Sequence, residues 1–388
     1  MARVIMVTET KGHIKHAQLT KPALGIFGRN ELAILGTSCG NIQRLAQTII
    51  EGLPGYKFGF TDASHHDNED SAPSIASVST IQKSNTTQVD FLGTFNYIHQ
   101  RTLFNDATFV LVNGNHFTAT RQVVVIDDAK PLHKKIDRLT NVCLVLLQEG
   151  ITTIPGFLAE QVPGIKNVPV FSIADNQSII RFIDSLIKYA TPVLNGLVLA
   201  GGESKRMGSD KGSLIYHPKL TQRQYIHSLL KEHCNGDVFV SCNASQEDAV
   251  TAEGLPFITD SFTGLGPIGG ILSAFRHNPN AAWLTVACDM PHLSGGLIHN
   301  LTENRNIAKM ATAFRNNENN GWPEPLLTIW EPQSYQWLLQ LLAQGYSCPR
   351  KALINAGIAL LEIEDAAVLH NVNDYSDYLT TLNNLENA

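Results

Sequence analysis

The sequence lacks long apolar runs, an excess of basic residues and closely spaced cysteines. None of its apolar stretches reaches the ~18 residues of a membrane-spanning helix, and the start, MARVIMVTETKGH, lacks the apolar core of a secretion signal. Lys and Arg number 29 against 35 Asp and Glu, so no overall positive field favours nucleic acid. The six cysteines form no Cys-x-x-Cys pair, which argues against a zinc or redox motif. These absences predict a cytoplasmic protein that binds neither membrane nor nucleic acid.

What the chain does contain is a regular alternation of short β-branched segments with longer amphipathic ones. This alternation predicts βαβ units on mostly parallel sheets, and therefore an α/β fold. In the first half the predicted strands are Arg3–Thr8, Glu31–Leu35, Lys57–Phe60, Thr108–Asn113, Gln122–Ile126, Cys143–Gln148 and Pro169–Ile173, with helices at Ile42–Leu53, Pro131–Leu139 and Asn176–Tyr189. In the second half the predicted strands are Gly196–Ala200, Asp237–Ser241, Trp283–Ala287, Met310–Phe314, Leu326–Trp330 and Ala359–Ile363, with helices at Gln222–Glu232, Ile268–Arg276, Ser334–Gln344 and Arg350–Ala356.

The 388 residues have room for two or three domains, and the pattern restarts near residue 190. Pro192 disfavours helix just before it, and a new apolar strand then begins. We therefore predict two domains, residues 1–190 and 194–388. The polar segment Asp62–Asp90 is predicted to be a long loop, in which His65 and His66 are solvated rather than metal ligands.

The most informative segment is Leu197–Lys211, LVLAGGESKRMGSDK, in which a buried strand runs into a glycine-rich basic loop. Glycines let backbone N–H groups approach anionic oxygens, which suits a polyphosphate. Arg206 and Lys211 would neutralise the charge that develops on departing pyrophosphate, and Asp210 would orient Lys211. Two glycines alone also occur in ordinary turns, but the whole string directly after a strand favours a phosphate site.

Polar residues also follow two other predicted strands. Asp289 comes directly after Trp283–Ala287, and the carboxyl end of a parallel strand faces the ligand crevice of an open α/β sheet. Asn243 follows the strand that ends at Ser241 in the same way. Either residue could instead serve a turn or a helix cap.

The string LAGGxSxRMGxDK closely resembles the signature of molybdenum cofactor guanylyltransferases, the MobA-type enzymes, and the resemblance continues in order from Gly196 to about Leu379. It implies a Rossmann-like nucleotidyltransferase fold in which Asp289 holds Mg²⁺ on the triphosphate. It also implies that Lys211, Arg206 and Asp289 are catalytic. The nucleotide-binding residues implied are Leu199, Ala200, Gly201, Gly202, Lys211, Asn243, Asp260 and Asp289.

Other segments also match the family, but each match has an alternative explanation that stays open. Asp260 matches a family residue near the guanine or ribose, or is a solvated loop residue. Gly264–Gly270 matches a second glycine segment, which either approaches the nucleotide or forms a tight helix entry. Asn371 and Asn373 match the family's N-V-N, which either binds the acceptor or ties the C-terminus down.

Two departures from the family pattern fall where the acceptor would bind. The usual His-Pro reads Glu324–Pro325, and Gly345–Asn355 differs from the commoner sequence. Arg350 stands at a predicted helix start, an unfavourable place for a cation, which indicates either a nearby anionic ligand or a solvated turn. We therefore add Arg350 to Asn371 and Asn373 as candidate acceptor-binding residues.

In the first half, Leu35–Leu45 (LGTSCGNIQRL) has the strand, glycine loop and helix of a P-loop. The glycine spacing is one residue short, Asn41 replaces the lysine and Ile42 replaces the metal-binding hydroxyl. Together with Cys143–Gly150, which contains LVLLQEG, this segment loosely resembles the MobB-type GTP-binding partner. We expect a degenerate P-loop-like domain that has lost triphosphate hydrolysis, and that binds a cofactor precursor, holds a dimer together or docks an acceptor protein.

The resemblance implies transfer of GMP from GTP to the terminal phosphate of molybdopterin, giving the guanine dinucleotide and pyrophosphate. GTP, molybdopterin and Mg²⁺ are then the expected ligands, and molybdoenzymes or other cofactor-biosynthesis proteins the expected partners. Two alternatives stay open. One is a related enzyme that uses CTP or a sugar phosphate, and the other is a non-catalytic binding or delivery protein.

Overall fold

The computed structural model describes residues 30–63, 78–91, 95, 97–201, 210–363, 366–372 and 374–386. Within these ranges the chain forms two large sheets, one from each half, and a separate two-stranded hairpin. The first half contains β1 (Asn30–Leu35), α1 (Cys39–Gly52), β2 (Phe58–Thr61), β3 (Val78–Gln82), β4 (Thr87–Phe91), α2 (Tyr97–Leu103), β5 (Phe109–Asn113), β6 (Arg121–Ile126), β7 (Val142–Leu147), α3 (Gly156–Gln161), β8 (Val170–Ser172) and α4 (Asn176–Tyr189).

The sheet of the first half has the order β2-β5-β1-β6-β7-β8, and every neighbouring pair is parallel. Because helices cover both faces of such a sheet, its central strands are mostly apolar, and all residues of β1 and β5 are buried. Helices α1 and α4 pack on one face through residues three or four positions apart, namely Ile42, Leu45, Ile49, Ile179, Ile183 and Ile187.

The second half contains β9 (Leu194–Leu199), α5 (Gln222–His233), β10 (Val238–Cys242), α6 (Glu247–Ala252), β11 (Phe257–Thr259), α7 (Pro267–His277), β12 (Ala282–Ala287), α8 (Gly295–Glu303), β13 (Ala311–Asn316), β14 (Trp322–Trp330), α9 (Ser334–Ala343), α10 (Pro349–Ile354), β15 (Ala359–Leu361) and α11 (Tyr375–Glu386). Its sheet has the order β11-β10-β9-β12-β14-β13-β15, in which β14 runs antiparallel to both of its neighbours. Helices α5 and α8 pack on one face, and α7, α9 and α10 pack on the other. This arrangement confirms the predicted α/β architecture, with a Rossmann-like sheet in the second half.

Most predicted strands and helices are confirmed to within a few residues, but two predictions are wrong. Pro131–Leu139 is not an α-helix: it forms two 3₁₀ turns, at Leu132–Lys134 and Ile136–Arg138, because Lys135 leaves the helical region with φ near −132°. Part of the predicted loop Asp62–Asp90 is an antiparallel hairpin, β3 with β4. Its strands contain the β-branched residues Val78, Ile81 and Val89.

Several helices and one short strand of the structure were not predicted from the sequence. Helix α8 begins with two glycines, which have low helix propensity, yet Ser294 caps it by accepting a hydrogen bond from the backbone of Leu297. Helices α2, α3, α6 and α11 and the short strand β11 were also not predicted. Arg3–Thr8, His65 and His66 lie outside the described residues. No helix in the described ranges is both long and apolar enough to cross a membrane.

Candidate nucleotide-binding site

A cleft of about 210 Å³ opens at the carboxyl ends of β9 and β12. The chain passes from β9 to β10 on one side and later returns to β12 on the other, so the strand order reverses between β9 and β12. In open α/β sheets this reversal leaves a crevice where ligands bind. The cleft is lined by Leu199, Ala200, Gly201, Lys211, Ser241, Asp260, Gly266, Pro267, Gly270, Ala287, Cys288, Asp289 and Leu326.

The end of β9 forms one wall of the cleft. The backbone of Ala200 donates to the carbonyl of Ser241 at 3.0 Å, and its own carbonyl accepts from the Gln246 side chain at 2.9 Å. Gly201 follows, and a Cβ there would lie 2.8 Å from Oδ2 of Asp260. A side chain at position 201 would require the Asp260 carboxylate to shift, so glycine allows the close approach of this loop to Asp260. Gly202 and Arg206, both predicted site residues, lie outside the described residues.

Lys211 and Asp289 meet at the opposite wall. The Nζ of Lys211 lies 3.5 Å from Oδ2 of Asp289 and donates to the carbonyl of Val372 at 2.8 Å. The Val372 backbone in turn donates to the carbonyl of Asp289 at 2.9 Å. The structure thus brings together the two predicted catalytic residues that it describes, and it links Val372 to both of them.

The second carboxylate oxygen of Asp289, Oδ1, is buried and has no hydrogen-bond partner among the described residues. Burial raises the pKa of Asp289, and the nearby Lys211 partly lowers it again. A buried, unpartnered carboxylate oxygen at a cleft is a fitting ligand for a hard cation, because Mg²⁺ takes one or two carboxylates together with phosphate oxygens and water.

Asp260 is the other carboxylate of the cleft. Its Oδ1 accepts a 2.6 Å hydrogen bond from the hydroxyl of Ser241. Burial raises the pKa of Asp260, and that hydrogen bond lowers it in part. Its place in the wall does not match the alternative of a solvated loop residue. Ser241 was not predicted, although a polar residue near the carboxyl end of a buried strand was an available signal.

Asn243 acts as a cap in the structure. Its side-chain oxygen accepts from the backbone and hydroxyl of Ser245, at 3.0 and 2.6 Å, and Gln246 completes a capping box. The side chain does not line the cleft among the described residues. The geometry accords with the turn role that the sequence left open.

The second glycine segment brings helix α7 close to its neighbours. Gly266 has a φ of +63°, which favours glycine, and it lines the cleft immediately before the helix. A Cβ on Gly269 would lie 2.2 Å from the carbonyl oxygen of Phe262, and one on Gly270 would lie 2.3 Å from Oγ of Ser241. The segment therefore serves both the helix entry and the wall of the cleft.

The candidate acceptor residues lie in different surroundings. Arg350, near the start of α10, lies 3.6 Å from the buried carboxylate of Glu324 and donates from Nε to the carbonyl of Pro323 at 3.4 Å. This contact supplies an intramolecular reason for a cation at a helix start. Asn371 is partly buried and adjoins Val372, whereas Asn373 lies outside the described residues.

In the first half, the polar groups of the loop after β1 form hydrogen bonds with other side chains of the protein. Thr37 donates from its hydroxyl to Asp127 at 2.5 Å and accepts from the Asn41 side chain at 2.8 Å. Asn115 donates to the Thr37 carbonyl at 2.9 Å, and a Cβ on Gly36 would lie 2.3 Å from the carbonyl of Val125. The loop is held by its own polar contacts, and whether its domain has lost triphosphate hydrolysis stays a prediction.

The close packing of Gly269 generates a stability prediction. Gly269→Ala places a methyl group against a backbone carbonyl, so we expect a loss of about 1–3 kcal/mol. As a control, Gly296→Ala in α8 meets nothing nearer than 3.9 Å and should be neutral or stabilising by about 0.4–1 kcal/mol. Thermal unfolding of the two variants measures both effects. Equal midpoints would contradict the packing argument.

The raised pKa of Asp289 generates a second prediction. When the pKa of a carboxyl group is higher in the folded state than in the unfolded state, the folded state loses stability as pH rises from the unfolded-state pKa through the folded-state pKa. Asp289→Asn removes this cost, so without metal its unfolding midpoint should exceed that of the wild type at pH 8, and the difference should shrink as pH falls. Asp248→Asn, at an exposed position, should show no such trend. If the difference in unfolding midpoint between Asp289→Asn and the wild type did not change with pH, the buried charge of Asp289 would not be its cause.

Comparisons with known proteins bear on the second half. Residues 196–357 match the family described as MobA-like NTP transferase domain. The chain is 34% identical over 185 residues to a molybdenum cofactor biosynthesis bifunctional protein of Synechocystis sp., covering 48% of this chain and 52% of that protein. It is 27% identical over 189 residues to a molybdenum cofactor guanylyltransferase of Serratia proteamaculans, covering 48% of this chain and 92% of that protein. The chain thus spans about half the length of the first relative and most of the second.

Two solved structures are similar to parts of this chain at low identity. Molybdopterin-guanine dinucleotide biosynthesis protein A from Archaeoglobus fulgidus is 20% identical with a TM-score of 0.43, over 50% of this chain and 100% of that one. A MobB protein homolog from Bacillus stearothermophilus is 15% identical with a TM-score of 0.31, over 41% of this chain and 98% of that one. The family match and the named relatives confirm the resemblance predicted from the sequence: the second half of the chain contains a MobA-like NTP transferase domain.

Proposed function

We propose that the second half transfers GMP from GTP to the terminal phosphate of molybdopterin, giving molybdopterin guanine dinucleotide and pyrophosphate. The observation that carries this proposal is the Lys211–Asp289 pair at the reversal point of the sheet. The guanylyltransferase names of similar proteins support the choice of base and acceptor.

The reaction asks the protein for alignment and charge neutralisation rather than for covalent chemistry. A terminal phosphate oxygen of the acceptor attacks the α-phosphorus of GTP, and the bond from that phosphorus to the departing pyrophosphate breaks. Lys211 would leave Asp289 and the Val372 carbonyl to bind phosphate oxygens, and Arg206 is proposed to bind phosphate oxygens as well. Asp289 would hold Mg²⁺, which supplies positive charge to the triphosphate when bound.

The remaining site residues divide between base and acceptor. We assign Leu199, Ala200, Gly201 and Gly202 to the nucleotide through their backbone, and Asp260 to its base or ribose. The side chain of Asn243 caps the following turn, so we do not assign it to the base or ribose. Asn371, Asn373 and Arg350 are proposed to bind the acceptor. Support comes from Val372, whose backbone bonds to both Lys211 and Asp289 and so brings Asn371 next to the cleft.

The first half is proposed as a separate unit. Helix α4 ends at Tyr189 and β9 begins at Leu194, in accord with domains at residues 1–190 and 194–388. We propose that the first domain is a degenerate P-loop-like unit without triphosphate hydrolysis, in a cytoplasmic protein. Molybdoenzymes or other cofactor-biosynthesis proteins are its proposed partners.

Nucleotide binding tests the choice of base. We expect calorimetry with Mg²⁺ to show one site that prefers GTP over CTP, ATP and UTP, and we expect Asp289→Ala to weaken it. A preference for CTP would move the protein to a cytidylyltransferase. The absence of binding by all four nucleotides would favour a non-catalytic protein.

Turnover tests the catalytic assignment. Lys211→Ala and Asp289→Ala should each lower kcat about 10²–10³-fold. The first removes a cation that would stabilise developing negative charge, and the second removes the carboxylate that would hold Mg²⁺. Formation of pyrophosphate from GTP and molybdopterin measures the effect. Lys219→Ala, an exposed lysine on the same loop, is the matched control and should keep wild-type turnover. Near wild-type rates in either cleft variant would refute the assignment.

A further inference from the structure

Arg223 is a buried cation whose position needs an explanation. It is the second residue of α5, and its side chain is 1% exposed. A cation is unfavourable at the start of a helix, and a buried guanidinium is costly unless its donors are satisfied. Here Nη1 donates to Oδ2 of Asp210, while Nη2 and Nε donate to the two carboxylate oxygens of Glu253 at 2.5 and 3.1 Å. Two carboxylates thus enclose one guanidinium.

The contacts of Arg223 lead directly to the turn that carries Lys211. Asp210, bonded to the guanidinium through Oδ2, accepts through Oδ1 from the backbone of Gly212 at 3.0 Å. Gly212 also packs against the arginine, since a Cβ there would lie 2.7 Å from its Cγ. The residues on both sides of Lys211 are therefore held against the same side chain.

We propose that Arg223 is a positioning residue that fixes where the Lys211 ammonium lies in the cleft, acting through Asp210 and Gly212. Arg223 does not line the cleft among the described residues, so its effect on substrate is indirect. The inference rests on the proposed function for its kinetic test, but the placement of Lys211 can be measured without any reaction.

The competing explanation is that Arg223 only stabilises the fold, and the chain offers a matched control for it. Arg305 forms a similar buried pair, donating from Nε and Nη2 to Glu331 at 2.6 and 2.9 Å. Glu331 follows β14, which is antiparallel to β12, so this pair lies at the sheet edge opposite Asp289. Arg305→Lys should cost stability without disturbing Lys211.

A double-mutant cycle separates the two explanations. Arg223→Lys keeps the charge but loses the planar fork, and we expect kcat to fall about 10- to 100-fold, because a displacement near 1 Å of a reacting group can cost that much. In the Lys211→Ala background the same substitution should cause little further loss. Equal fold-losses in both backgrounds, or an equal loss in Arg305→Lys, would overturn the proposal.

Amine labelling gives a readout independent of turnover. Under native conditions, the rate at which acetic anhydride modifies Lys211, followed by mass spectrometry, should change in Arg223→Lys and stay unchanged in Arg305→Lys, with Lys219 as the internal reference. If Arg223→Lys fails to fold, Asp210→Asn interrupts the same link at its other end and should change Lys211 labelling in its place. An unchanged labelling rate of Lys211 in the folded variant overturns the proposal. If the labelling rate changes but the wild type does not transfer GMP, only the proposed function is overturned.

Discussion

The ammonium of Lys211 lies between the carboxylate of Asp289 and the carbonyl of Val372, and three distant parts of the sequence meet at it. One is the glycine-rich loop after β9, the second is the end of β12, and the third is the N-V-N segment near the C-terminus. Because a half-buried charge is costly without partners, each segment depends on the other two for its place. The contact thus couples the proposed nucleotide groups to the proposed acceptor segment, and a triphosphate that takes over Lys211 must also release Val372.

The order of the strands makes this meeting possible. Strands β9 and β12 are parallel neighbours, with Leu199 paired to Ala287, so the residues that follow them emerge at the same edge. Helix α7 then forms a further wall of the crevice. Gly269 and Gly270 allow this helix to pack closely against Phe262 and Ser241. Gly266, with its positive φ, supplies the entry to the same helix.

How much of this could be predicted depended on the range of each interaction. Buried parallel strands are short apolar runs, so β1, β9 and β12 were predictable from the local pattern. Asp289 followed from its place just after a strand, and Lys211 from the glycine-rich basic string that follows β9. Pro131–Leu139 was misread because Lys135 interrupts a helical pattern that looks continuous. The Ser241–Asp260 and Arg223–Glu253 contacts join residues 19 and 30 positions apart, and only the folded sheet shows that such residues are partners.

The charge balance of the cleft argues for what it binds. Among the described residues that line it, Asp260 and Asp289 are acidic and Lys211 is basic. Burial raises the pKa of both carboxyl groups, because removal from water disfavours their charged forms. A polyphosphate would add more negative charge to the cleft, so its binding requires further positive charge there. A divalent cation at Asp289, together with the basic side chain of Arg206, would supply that charge, which is why nucleotide binding should depend on Mg²⁺ and not on Lys211 alone.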